Sequence, residues 1–327
     1  MRPDFEEPIR QLEERLNDLK HSSTNKKINI EPEIKRIEQK LEKLRSELYS
    51  NLTDWQRVQI ARHNDRPYTL DYIHMIVTDF VELHGDRLFA DDLALVGGFA
   101  KINDRKVLIM GHQKGRGTKE KIIRNFGCAH PEGYRKAIRL MQMADKFKLP
   151  IVVLIDTPGA YPGVGAEERG QAQAIASNLR DMVKVGTPII AIVIGEGGSG
   201  GALGVGVADK VCILQHAYYS VISPEGCASI LWRSSLKAPE AAAALKLTAE
   251  HLLKLGIIDE IIPEPLGGAH RNPEFVATHL KESIVNNLDA LAKFSREDLL
   301  EKRYQRFRKL GVYETIKENG KENGKNE

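Results

Sequence analysis

Cysteine is scarce in this chain of 327 residues: Cys128, Cys212 and Cys227 are the only three, and none forms a CxxC or stands at another metal-ligand spacing. A disulfide framework is thereby excluded, and no zinc motif or other metal site is expected. Aromatic residues are few, with 9 Phe, 9 Tyr and 2 Trp. An excess of one charge is missing as well, since 48 Lys and Arg against 45 Asp and Glu leave a formal +3, which gives no reason to propose a nucleic-acid partner. No apolar run approaches the roughly 18 to 20 residues that span a bilayer. The longest, Ile151 to Ile155 and Ile189 to Ile194, stop at Asp156 and at Gly195-Glu196. The opening segment MRPDFEEPIRQLEERL is acidic where a secretory or transit peptide is not, so a cytoplasmic location without membrane contact is expected. The chain does have 42% hydrophobic residues, 28% charged residues and 27 glycines, enough for a globular protein with a large core.

Three segments emerge from the pattern. In residues 1–54, Phe5, Ile9, Leu12, Leu16 and Leu19, then Ile34, Ile37, Leu41, Leu44 and Leu48, recur at spacings of three and four. That period predicts two amphipathic helices in a hairpin, a packing arm or a dimerisation zipper. Residues 55–313 alternate helical patterns with short β-rich runs. Leu93 to Ile102 and Lys106 to Met110 flank Asn103-Asp104 as a hairpin, and thereafter the order is helix, strand, helix, strand. Residues 314–327, ETIKENGKENGKNE, hold one apolar residue, Ile316, and are expected to be a disordered tail.

The strands Ile151 to Ile155 and Ile189 to Ile194 each run into a glycine-rich loop, Asp156 to Gly165 and Gly195 to Ala202, and a helix follows each. In open α/β sheets ligands bind at such strand ends. Gly195 to Gly200 satisfies GxGxxG, but the next β-rich run begins near Lys210 and ends in no acidic residue, which argues against dinucleotide binding. Asp156-Thr157-Pro158-Gly159 matches the DxxG of a GTPase, yet no GxxxxGK[ST] accompanies it. Glycines entering a helix leave backbone N–H groups unpaired and unobstructed at the positive end of the helix dipole, a place for a developing oxyanion. Tight turns alone would also use such glycines. No Ser-His-Asp or Cys-His arrangement stands nearby, so polarisation rather than a protein nucleophile is indicated.

Longer segments carry a resemblance: RPYTLDY at Arg66 to Tyr72, GHQKGRGTKEKIIRNFG at Gly111 to Gly127, IDTPGAYPGVGAEERGQ at Ile155 to Gln171, IGEGGSGGAL at Ile194 to Leu203 and YSVISPEGCASILW at Tyr219 to Trp232. With VGGFA at Val96 to Ala100, PEGYRKA at Pro131 to Ala137 and IIPEPLGGAHRNP at Ile261 to Pro273, they make the chain similar to the carboxyltransferase alpha subunits of bacterial-type acetyl-coenzyme A carboxylase, in the crotonase-like superfamily. The resemblance runs from the arm to about Tyr313. It implies a crotonase-like α/β fold of repeated ββα units behind the helical hairpin. It also implies transfer of a carboxyl group from N-carboxybiotin, tethered to a biotin carboxyl carrier protein, to acetyl-CoA, giving malonyl-CoA for fatty acid biosynthesis. The implied partners are a beta subunit in a heterotetramer of two alpha and two beta chains, the carrier protein, and biotin carboxylase in the larger complex. The chain itself would bind no cofactor, and a four-cysteine zinc module is expected only on beta.

Carried over by that resemblance, the backbone amides of Gly200 and Gly201 are the expected oxyanion donors, with Gly197 and Gly198 shaping their approach. Gly159, Ala160, Gly163 and Gly165 would form the facing wall of the biotin pocket, or a turn that merely connects strand to helix. Lys114 and Arg116, in a loop with Lys119, Lys121 and Arg124, suit CoA phosphates or an acidic carrier, though a solvated loop is an equal reading. Glu167, Glu168 and Glu196 could do proton work but read first as solvated carboxylates at a helix start or loop, and His112 and His130 read as residues that hydrogen-bond within the fold. Ser223-Pro224-Glu225 reads as a helix start. An autonomous crotonase-like hydratase or decarboxylase, and a non-catalytic scaffold subunit, are the alternative functions.

Overall fold

The computed structural model describes residues 4–23 and 31–311. The tail 314–327 lies outside them. Eight strands form one mixed sheet: β1 (Thr78–Glu82), β2 (Leu95–Ile102), β3 (Arg105–His112), β4 (Ile151–Thr157), β5 (Ile189–Gly198), β6 (Lys210–Leu214), β7 (Tyr218–Ser220) and β8 (Glu260–Ile262), in the order β1-β2-β3-β4-β5-β6-β8, with β7 also on β5. β1, β2 and β3 pair antiparallel, and β3 to β6 and β8 pair parallel. Asn103 and Asp104 both take positive φ, 45° and 61°, as a two-residue hairpin of the twist-matched type requires. β4 and β5 are buried along their whole length, which is why they read as unbroken aliphatic runs instead of alternating ones.

Helices cover the sheet. Pro131–Lys146 packs on β2, β3 and the helix Gln171–Met182, while Thr69–Ile76 and Pro273–Leu291 pack on each other and on the sheet. The last helix, Arg296–Arg308, is pinned by the buried Arg303, which donates to Asp209 and to the carbonyls of Met182, Val185 and Thr187. The ββα order is visible in β2, β3 and the helix Pro131–Lys146, and again in β6, β7 and the helix Pro224–Trp232. The latter begins where the sequence indicated, with Ser223 Oγ accepting from the Gly226 N–H.

The arm is a hairpin of the helices Glu7–Ser23 and Glu31–Ser50, with its own cluster of Ile9, Leu16, Ile37, Leu41 and Tyr49. That cluster closes on Ile60, in the helix Asp54–Ala61, so the arm packs against the rest of this chain.

One expectation needs correction. Gly195 to Gly198 are not loop, because β5 continues through them and pairs with β7 as Glu196 with Tyr218, Gly197 with Tyr219 and Gly198 with Ser220. Their lack of side chains reflects close packing: a Cβ on Gly198 would lie 2.1 Å from the Pro158 carbonyl oxygen, and one on Gly195 2.5 Å from Asp156 Oδ1.

Candidate functional site

The C-terminal ends of β4 and β5 lie side by side, and their register breaks there. Ile155 pairs with Val193 and Thr157 with Gly197, so three residues of β5 bulge opposite the single Asp156. The bulge frees backbone groups that must be paired elsewhere. Arg66 Nε donates to the Ile194 carbonyl at 2.8 Å, and Asp156 Oδ1 accepts the Glu196 N–H at 2.9 Å. Arg66 is itself buried, held bidentate by Glu264 at 2.5 and 2.8 Å.

Below the bulge lies a charged cluster. Lys114 Nζ stands 2.7 Å from Asp156 Oδ1 and 2.7 Å from Glu196 Oε1. Arg62 Nε and Tyr218 Oη donate to Glu196 Oε2, each at 2.7 Å. Arg62 also reaches Glu225, at 2.5 Å. Burial pushes the Glu196 carboxyl up, but Lys114 and then Arg62 outweigh it and hold it at about 2. Burial likewise opposes charge on Lys114, yet Asp156 and Glu196 raise it above the ordinary lysine value. Asp156 is raised, by burial first, against the pull of Lys114. At neutral pH Glu196 and Lys114 keep fixed charges and do not act as a titrating acid-base pair. His112 is buried beside the Gly201 backbone, and burial and then Lys114 push it down to about 3, leaving a neutral ring.

Beyond the bulge the chain turns from strand to helix at Ser199, whose φ is +51°, an unusual value for a residue with a side chain. The short helix Ser199–Leu203 follows. As first-turn positions, Gly200 and Gly201 have no intrahelical acceptor for their N–H groups, and no other backbone acceptor among the described residues takes them. A left-handed residue leading into helical ones turns successive N–H groups to one side, the geometry of an anion-binding nest.

The two glycine segments do meet. A Cβ on Gly201 would lie 2.4 Å from the Gly159 carbonyl carbon and 2.6 Å from the Ala160 nitrogen. Gly159 and Gly200 keep open space, with nothing within 4 Å of a Cβ on the first and only Ile175, at 3.7 Å or more, near one on the second. Gly163 and Gly165 lie farther along, against Tyr161 and Arg169, and are not part of this contact. Beside the cluster a cavity of about 230 Å³ is lined by Arg62, Tyr68, Lys114, Phe126, Pro158 and Glu196 among others.

Other side chains fall differently from the sequence reading. Glu196 is buried and triply held, not solvated, whereas Glu167 and Glu168 are exposed. Lys114 turns inward to two carboxylates, and Arg116 pairs with Asp71 and stacks over Tyr68. Lys114 is thereby taken up within the chain, whereas the Arg116 pair lies at the surface. His130 bonds Asn125 at 2.9 Å, but the ring nitrogens of His112 meet no hydrogen-bond partner among the described residues. Glu6, His63 and His270 gather within 4.8 Å, with the two rings stacked face to face at 3.8 Å and His63 Nδ1 accepting the Asp65 N–H. Sequence reasoning missed Arg62, Tyr218, Glu225 and the strained Ser199. Only Ser199 left a local signal, a serine centred in GGSGG between a strand and a helix.

A family model described as acetyl co-enzyme A carboxylase carboxyltransferase-like matches residues 2–311. Acetyl-coenzyme A carboxylase carboxyl transferase subunit alpha of Methylococcus capsulatus is 57% identical over 311 residues, covering 95% of this chain and 97% of that one. The same subunit of Geobacter metallireducens is 55% identical over 310 residues, with the same coverage. Among solved structures, transcarboxylase 12S with methylmalonyl-coenzyme A and methylmalonic acid bound superposes with TM-score 0.56 at 21% identity, over 80% of this chain and 47% of that one. A Pseudomonas malonate decarboxylase hetero-tetramer in complex with coenzyme A gives 0.54 at 17%, over 65% and 85%. At such identities the structures speak for the shared fold.

Proposed function

This chain belongs to the acetyl-coenzyme A carboxylase carboxyltransferase family as an alpha-type subunit, and from that footing we propose that the turn from β5 into the helix Ser199–Leu203 is the anion-stabilising half-site of the reaction. The family's activity is carboxyl transfer in the formation of malonyl-CoA, within fatty acid biosynthesis. The observation that carries the reading is the pair of N–H groups on Gly200 and Gly201, unpaired among the described residues and turned out by the left-handed Ser199. Donors fixed before the reaction stabilise charge as it develops without reorganising.

Carboxybiotin, tethered to a separate carrier protein, supplies the carboxyl group. In our reading its ureido oxygen sits at the Gly200 and Gly201 amides, and the open faces of Gly159 and Gly200 leave room for the ring. The locked charges of Lys114 and Glu196 make neither of them a titrating base, which suits chemistry in which the leaving group takes the substrate proton. A beta subunit then supplies the acyl-CoA side and the second anion site, in a tetramer of two alpha and two beta chains served by biotin carboxylase. No helix among the described residues is long and apolar enough to cross a membrane, and we place the complex in the cytoplasm.

The test is biotin-dependent decarboxylation of malonyl-CoA with free biocytin, using the chain alone and then with its beta subunit. Activity is expected only in the mixture. Gly200→Pro deletes one donor at a position with open space for a Cβ, whereas any side chain at Gly201 collides with Gly159. Turnover should fall by about 100- to 1000-fold in an assembled complex, and Gly200→Ala, which keeps the N–H, should lose less than about tenfold. Wild-type turnover by Gly200→Pro, or biotin-independent turnover by the chain alone, would overturn the proposal.

A further inference from the structure

The β5 bulge brings one polar side chain of its own to the break, beside the hydrogen bond that Arg66 makes to the Ile194 carbonyl. Of the three residues opposite Asp156, Ile194 and Gly195 bring no polar side chain to the break, and Glu196 brings a carboxylate held from three directions. Lys114 approaches from the segment after β3, Arg62 from the end of the helix Asp54–Ala61, and Tyr218 from β7, each at 2.7 Å. The backbone of the same residue is tied to Asp156 on one side and to β7 on the other. Two residues later the strand ends, and at Ser199 it turns into the helix carrying the Gly200 and Gly201 amides.

A bulge next to a site changes the direction in which the strand delivers the residues beyond it. A segment of glycines has no side chains to hold it and so has wide conformational freedom. Backbone pairing with β7 holds Gly197 and Gly198, and Glu196 is the last residue before them with side-chain contacts that can fix where that pairing starts. We propose that Glu196 is a positioning residue for carboxyl transfer: its clamped carboxylate locks the bulge so that the Gly200 and Gly201 N–H groups converge on one oxygen. The assignment rests on the half-site reading above. It gives Arg62 and Tyr218 a role through Glu196, and it explains why a carboxylate this close to the turn is buried and held from three directions.

The experiment is a double-mutant cycle in the assembled alpha-beta complex, read as kcat and KM separately. Glu196→Gln keeps the size and weakens the clamp, and kcat should fall by about 10- to 100-fold while KM for biocytin and for malonyl-CoA moves by less than about threefold. Tyr218→Phe removes one donor without leaving a charge, and should cost about three- to tenfold in kcat. In a Gly200→Pro background both substitutions should cost clearly less than in the wild type, because one of the two amides they aim is already gone. A reading in which Glu196 serves only stability predicts losses that multiply in that background, and multiplication would overturn the proposal, as would a rise in KM with kcat preserved. If Gly200→Pro itself has no effect, it is the half-site reading that fails. Should Glu196→Gln not assemble with beta, the cycle on Tyr218→Phe decides alone.

Discussion

Replacing Lys114 by Met keeps a side chain of similar length and removes the one charge that stands 2.7 Å from both Asp156 and Glu196. Two buried carboxylates then face each other, with Arg62 on the far side of only one of them. Removing one partner of a buried ionic cluster costs about 3 to 5 kcal/mol. Unfolding entropy is about 2.1 cal/mol/K per residue near 60 °C, or about 0.7 kcal/mol/K over this chain, so the melting temperature should fall by about 4 to 7 °C at pH 8.5. The loss has a definite pH dependence. Without Lys114, burial and mutual repulsion raise the folded-state pKa of a carboxyl above its unfolded value. The folded state then binds more protons than the unfolded one, and stability falls as pH rises through the raised value. The gap between variant and wild type should therefore be smaller at pH 5.5 than at pH 8.5. Thermal unfolding followed by circular dichroism at pH 5.5, 7 and 8.5 measures this. A variant melting within about 1 °C of wild type at pH 8.5, or a gap that does not change with pH, would refute the account of Lys114 as the counter-charge of the cluster.

The wild type should lose stability in acid with the opposite sign. Glu196 and Glu264 are both held at about 2, burial raising each and the neighbouring cations Lys114, Arg62 and Arg66 lowering it further, so their contribution is full above the ordinary glutamate value and is lost as pH falls from about 4.5 towards 2. A melting temperature that stays level from pH 6 down to pH 3 would count against it. Ser199→Val puts a β-branched residue at φ +51° and should cost about 1 to 3 kcal/mol, while Ser199→Gly should be within about 1 kcal/mol of wild type; urea titration of both variants compares them, and equal midpoints would show that the turn is not strained.

Much of the fold was legible because it is written locally. The spacing of Ile9, Leu12, Leu16 and Leu19 sets an apolar face at the helical period, and Asn103-Asp104 sets a hairpin through its tolerance of positive φ. The expected strand Ile189 to Ile194 was right at its start and short at its end, since its glycine-rich continuation has little strand propensity and joins β5 through pairing of Glu196 to Gly198 with β7 and of Gly197 with Thr157. Tertiary contact overrode composition at that point.

The site divides in the same way. Sequence alone determined that two glycine segments run into helices, because an absent side chain is a property of the residue and not of its surroundings. Only the tertiary structure decided that the segments touch at Gly159 and Gly201, that Lys114 turns inward, and that Glu196 is clamped by Arg62 from 134 residues away. A lysine or glutamate carries the same charge in a loop as in a core. What it does with that charge depends on burial and on the partner it meets, and both are settled by parts of the chain that no local pattern connects.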